Sequence, residues 1–173
     1  MTRSAAAILD PMSERSFQAS IHVDRDPETL YDLVSDVTRM GEWSPICAAC
    51  WWDDGGGPHA GAWFTGRNET PQRTWETRSQ VVTADRGREF AFEVNHVFVR
   101  WGYTFTPAGG GPSGGPSGGT VLTEHWNFLP KGIAGFHERY GPDAEAQIDE
   151  RTSAAHRGIP LTLAAIKKAA ESG

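Results

Sequence analysis

The chain has 173 residues, enough for one domain with a sizeable core, and a formal net charge of −6. That balance argues against a nucleic-acid partner, which needs a basic stripe to neutralise phosphates, and against docking on anionic membranes. Hydrophobic content of 38% and charged content of 22% suit a soluble globular protein, and no run approaches the about 20 apolar residues of a membrane span.

Residues 1–14 read as a flexible arm. Their apolar patch, Ala5 to Leu9, is broken at Asp10-Pro11 and is too short for a secretory signal. The start is Met1 or Met12, residues 15–173 form the domain, and the expected location is cytoplasmic. A strand follows at Ser16 to Val23. Next comes DPETLYDLVSDVTRMGEWSP, Asp26 to Pro45. Asp26 can cap a helix and Pro27 suits its first turn, while Leu30, Leu33, Val34 and Val37 recur at helical spacing. Ser35 or Asp36 can cap a second short helix, and Gly41 can end it.

A series of strands then begins: Ile46 to Trp52, Ala62 to Glu69, Gln72 to Ala84, Glu89 to Val94, Phe98 to Thr106 and Thr120 to Leu129. Gly- and Pro-dense turns separate them, the longest being the low-complexity loop PAGGGPSGGPSGG, Pro107 to Gly119. From Lys131 the pattern is helical. It breaks near Gly141-Pro142, places Ala144, Ile148, Arg151 and Ala155 on one side, and is expected to kink again at Gly158 and Pro160.

This order resembles the helix-grip fold of the START-like (SRPBCC) superfamily, and within it the bacterial polyketide cyclase/dehydrase-like group. The resemblance rests on an ordered set of segments: YDLVSDVTRMGEWSP (Tyr31 to Pro45), GAWFTGRNE (Gly61 to Glu69), RTWETRSQVV (Arg73 to Val82), REFAFEV (Arg88 to Val94), RWGYTF (Arg100 to Phe105), GGTVLTEHW (Gly118 to Trp126) and GIPLTLAAIKKAAE (Gly158 to Glu171). It implies an α+β fold in which a seven-stranded curved antiparallel sheet, with two short helices after its first strand, grips a long C-terminal helix across a cavity. It implies a ligand pocket more strongly than a reaction.

Alternation along each strand selects the inward residues. Phe64, Gly66 and Asn68 face in, against Trp63, Thr65 and Arg67. Trp75, Thr77, Ser79 and Val81 face in from the long strand. Phe90, Phe92 and Val94 follow, then Trp101, Tyr103 and Phe105, then Leu122, Glu124, Trp126 and Phe128. The expected ligand-lining set is Trp43, Phe64, Asn68, Trp75, Thr77, Ser79, Phe92, Trp101, Tyr103, Leu122, Glu124 and Trp126. Trp43 is read either as a pocket-mouth residue or as a helix-end anchor, and Arg67 as a surface charge. Apolar walls with a few polar groups suit a lipid-like or polycyclic ligand, although plain core packing would use many of the same aromatics.

Glu124 is the sharpest residue. An inward carboxylate must be paired or protonated, and Asn68 or Tyr103 could satisfy it; a register displaced by one would instead turn it to water. Glu124, Tyr103 and Asn68 are the candidate proton-transfer groups for a second reading, an aromatase/cyclase or dehydratase acting in the same cavity. A third reading is an interaction module or homodimer using Trp51, Trp52 and Trp63 as an exposed patch.

The six histidines show no metal-binding spacing, no cofactor motif is present, and neither a metal nor a cofactor is expected. Cys47 and Cys50 form a C-x-x-C, but on a regular strand residues three apart point to opposite faces, so these thiols are expected not to meet.

Overall fold

The computed structural model describes residues 15–95, 98–109 and 118–173; the expected arm and most of the Gly/Pro/Ser loop lie outside them. Seven strands form one antiparallel sheet: β1 (Ser16–Val23), β2 (Cys47–Trp52), β3 (Trp63–Thr70), β4 (Arg73–Asp85), β5 (Glu89–Val94), β6 (Val99–Pro107) and β7 (Thr120–Phe128). The spatial order is β1-β7-β6-β5-β4-β3-β2. Chain neighbours are therefore sheet neighbours except at the start, where β1 and β2 take opposite edges.

The segment between those edges does the crossing. In α1 (Pro27–Ser35), Asp26 Oδ1 accepts from the Thr29 amide at 2.9 Å and Pro27 occupies the first turn. Asp36 likewise caps a 3-10 turn, Val37–Glu42. Leu30, Tyr31 and Val34 are buried, and Tyr31 sets its ring edge-on to Phe90 and Phe105. Gly41 does not end the second helix as expected, because it lies inside the 3-10 turn. A Cβ there would stand 2.5 Å from the Ala48 carbonyl oxygen, so glycine is what lets β2 approach.

After β7 come α2 (Pro130–Tyr140), a 3-10 turn at Gly141–Asp143, and α3 (Ala144–Glu171). The break at Gly141 is present, with φ +51°. Across Gly158 and Pro160, where a kink is expected, α3 remains one continuous helix of 28 residues with Pro160 inside it. Proline forfeits one backbone hydrogen bond there. Pro160 faces solvent, however, while Ile159, Thr162, Leu163 and Ile166 are buried around it, and that packing holds the helix through the gap.

α3 lies against β1 and β7 and touches α1. Its far end is tied down by Lys167, which donates to the His22 carbonyl at 2.7 Å, and by Glu171, which accepts from the Asp24 amide at 2.8 Å. At its start Arg15 pairs with Glu145 at 2.7 Å. This is the helix-grip arrangement: a curved α+β sheet closed on its concave side by helices. Among the described residues, no helix is long and apolar enough to cross a membrane.

Candidate functional site

The grip is filled at one end and open at the other. Where α1 packs on β5 and β6, the concave face is solid core: Tyr31, Phe90, Phe105, Leu122 and Ile166 are buried together. Toward α2 and the middle of α3 a cavity of about 490 Å³ remains. Ten of the twelve expected lining residues border it: Phe64, Asn68, Trp75, Thr77, Ser79, Phe92, Trp101, Tyr103, Glu124 and Trp126. Leu122 and Trp43 do not. Leu122 faces inward as expected, but at the filled end, with no exposure. Trp43 is 4% exposed and packs in the core, with the Arg39 guanidinium 6.0 Å from its ring.

The ladder places Tyr103 directly opposite Glu124 across β6 and β7. Glu124 Oε1 accepts from the Tyr103 hydroxyl at 3.0 Å, and Glu124 is 2% exposed. Its Oε2 has no hydrogen-bond partner among the described residues. Burial pushes the carboxyl up to about 8, a rise that the Tyr103 hydrogen bond only partly opposes. Tyr103 is itself pushed well above the ordinary tyrosine value, chiefly by burial and then by the neighbouring Glu124 charge. The pair thus presents a carboxyl that holds its proton near neutral pH, with one oxygen committed and one free.

Asn68 is not part of that pair. Its Nδ2 donates to Thr77 Oγ1 at 3.2 Å, forming a separate polar patch on β3 and β4. A third polar group was not expected at all. Cys47 and Cys50 sit 3.2 Å apart, sulfur to sulfur, and both line the cavity. The reason is a bulge. Cys47 pairs with Asn68, Ala49 with Arg67 and Cys50 with Gly66, so Ala48 is an extra residue. Two cysteines three apart in sequence then behave as if two apart and share a face. Gly66 makes room for them, since a Cβ there would stand 3.1 Å from Cys50 Sγ and 3.5 Å from Cys47 Sγ. The contact with Cys50 lowers the Cys47 thiol despite burial, and the same contact, with burial, raises Cys50.

The sequence matches the family described as polyketide cyclase / dehydrase and lipid transport over residues 14–149. The Polyketide_cyc-like protein Cgl2372 from Corynebacterium glutamicum is 47% identical, with 90% of this chain and 91% of that one covered and a TM-score of 0.64. The chain belongs to this family. Two di-domain ARO/CYC proteins share the fold. StfQ, from the steffimycin biosynthetic pathway, is 15% identical (TM-score 0.66), with 93% of this chain and 52% of that one covered. BexL, from the BE-7585A pathway, is 17% identical (TM-score 0.59), with 91% and 51% covered. A comparison with curated proteins found no match.

In this family member several cavity residues escaped strand alternation because helices, turns and strand ends supply them. Met40, Phe136, Arg139, Tyr140 and Arg151 line the cavity, as does Arg73 at the start of β4. The helical spacing of Ala144, Ile148, Arg151 and Ala155 was the available signal for Arg151. Trp51, Trp52 and Trp63 do not form one apolar patch. Arg67 stands 5.7 Å over the Trp51 ring, Arg78 stands 4.6 Å over Trp63, and Trp52 packs on Phe64. Arg67 is on the surface, 3.7 Å from Glu76. His125 points to the outer face, where its ring covers Gly102. His137 pairs with Glu145 at 2.9 Å. Among the described residues, no group of three His, Cys, Asp or Glu side chains is arranged to hold a metal ion.

Proposed function

We propose that the protein binds a small hydrophobic or aromatic molecule, such as a lipid, a polyketide or a related metabolite, between the sheet and α3. The observation that carries this reading is the free Glu124 Oε2. A buried oxygen without a partner is costly, and a protonated carboxyl in the wall of an aromatic-lined space is an anchor for one polar atom of a ligand that displaces its neighbours to reach it. Phe64, Phe92, Trp101 and Trp126 supply flat apolar contact around it. The family description, which includes lipid transport, is consistent with this use.

A second reading has its own support. Glu124 and Tyr103 converge as a catalytic pair would, and the family description also includes cyclase and dehydrase. In a dehydration, Glu124 as carboxylate would take a proton from the carbon beside the carbonyl and return it to the hydroxyl as its C–O bond breaks, so that C=C forms and water leaves, while the aromatic walls fold the chain. The ARO/CYC relatives make aromatase/cyclase chemistry the natural form of this alternative.

Native mass spectrometry of freshly purified protein, with solvent extraction, tests the first reading. A co-purified apolar mass, reduced in Glu124→Gln, is the expected result. No adduct, together with no saturable binding of any polycyclic or fatty-acyl probe, would overturn it. Turnover of a β-hydroxy polyketide thioester that is lost in both Glu124→Gln and Tyr103→Phe would favour the second.

A further inference from the structure

We infer that the ligand is an anionic amphiphile, an apolar body carrying a carboxylate or phosphate group, whose charged head is held by Arg73, Arg139 and Arg151. This rests on the cavity-binding reading above and adds the head group to it.

All three arginines line the cavity, and each stands over an aromatic ring. Arg73 is 4.2 Å from the Trp75 centroid, Arg139 is 5.4 Å from Tyr140, and Arg151 is 6.0 Å from Phe136. Three different elements supply them to the same cavity lining. Arg73 begins β4 after the β3–β4 hairpin, Arg139 ends α2, and Arg151 lies two turns into α3. The three rings border the same cavity, so its lining combines apolar surface with positive charge.

The charge balance there runs against the rest of the chain, whose net charge is −6. Among the described residues, neither Arg73 nor Arg139 has an ion-pair partner. Arg151 is 3.0 Å from Glu150 and 3.5 Å from Gln147. The carboxylates facing the cavity are Glu76, 3.7 Å from Arg67, and the buried Glu124. Ring contact holds a guanidinium flat and leaves its N–H edge for a planar or tetrahedral anion. Two unengaged guanidinium groups beside an aromatic-lined cavity are the complement of a molecule with an acidic head and an apolar body. The unpartnered Glu124 Oε2 then meets a hydroxyl or carbonyl farther along that body.

Fluorescence titration with three matched probes tests this: 1-pyrenebutyrate, its methyl ester, and the corresponding pyrenylbutyl phosphate. Wild-type protein is expected to bind the acid about tenfold or more tighter than the ester, the effect of one or two charge-assisted hydrogen bonds. That advantage is expected to shrink at high salt, to fall several-fold in Arg73→Gln/Arg139→Gln with a much smaller change in ester affinity, and to grow in Glu76→Gln. A phosphate that outbinds the carboxylate assigns the head to a phosphorylated ligand, and equal binding assigns it to a free acid; both support the inference. An ester that binds wild type as tightly as the acid overturns the head-group assignment while leaving cavity binding intact. If none of the three binds, the cavity-binding reading fails with it.

Discussion

Two walls of the same cavity carry buried polar chemistry, and they reach it by different means. On the β6–β7 wall the ladder is unbroken: Trp101 opposes Trp126, Tyr103 opposes Glu124, and Phe105 opposes Leu122. On the β2 wall one extra residue, Ala48, resets the alternation and turns Cys47 and Cys50 to the same side. The first wall keeps a carboxyl and a phenol in fixed apposition. The second keeps two thiols together through a local irregularity seated on Gly41. Regular pairing makes chemistry readable from sequence, whereas a bulge can move it to a face where alternation does not place it.

The largest expected effect belongs to the regular wall. Glu124 rises in the folded state from an ordinary 4.5 to about 8, so the native protein binds a proton more tightly than the unfolded chain. The contribution of that proton to stability is complete below about pH 4.5 and is lost as pH climbs through about 8. Chemical denaturation across this window should show wild type losing stability relative to Glu124→Gln by an amount on the order of a few kcal/mol. The growth of the gap with pH is the informative quantity, because the amide also changes local hydrogen bonding at every pH. A gap that stays constant from pH 5 to pH 9 would mean that Glu124 is not the buried acid.

The corresponding break on the other wall is Gly41→Ala. Its new Cβ would meet the Ala48 carbonyl at 2.5 Å, which is backbone and cannot rotate away. Overpacking of this kind costs about 1–3 kcal/mol, read as a lower denaturation midpoint. The same variant should make the Cys47 and Cys50 thiols react faster with a small alkylating reagent, since displacing the bulge loosens their seat. Wild-type stability and wild-type thiol protection together would remove the bulge from the explanation.

How much was readable follows the same division. The seven strands, the capped helix pair and the break at Gly141 followed from period, capping residues and glycine placement. Ten of the twelve expected lining residues border the cavity because their strands alternate regularly there, the register shift of β4 against β5 falling beyond them, between Val81 and Thr83. Leu122 shows the limit: alternation gives the face, but not how far along the strand the cavity extends, and α1 fills that end. Trp43 shows another, since a helix-end tryptophan serves equally as rim or anchor, and here it is packed inside. The continuity of α3 through Pro160 was set by burial of Ile159 and Leu163, which outweighs one missing hydrogen bond. The arginine-bearing lining combines residues from a hairpin, a helix end and a helix face, and only the tertiary arrangement brings them together.

A smaller effect is expected from Tyr103→Phe. It removes the donor to Glu124 Oε1 and leaves a buried acid with fewer partners, at a cost of about 1 kcal/mol. Because that hydrogen bond lowers the carboxyl against the effect of burial, its loss should move the Glu124 titration above 8, so the pH-dependent loss of stability shifts to higher pH. A shift to lower pH would show that the phenol does not donate to the carboxylate.

The least expected change in energy, and the most specific in chemistry, concerns the thiols. Cys50 Sγ lies 3.2 Å from Cys47 Sγ and 3.8 Å from Met40 Sδ. Cys47 is held below the ordinary thiol value by that contact, while Cys50 is raised by it and by burial. The thiolate is the nucleophile, so iodoacetamide entering the cavity should modify Cys47 first, and peptide mass spectrometry over a pH series should give Cys47 the lower midpoint. Cys50→Ala removes the donor and should slow alkylation of Cys47 several-fold near neutral pH, with little change in stability. A cavity ligand should protect both positions, because both line the space it would fill. Earlier modification of Cys50, or an unchanged Cys47 rate in Cys50→Ala, would reverse the donor assignment and leave the bulged wall as a packing feature without the asymmetry that distinguishes its two sulfurs.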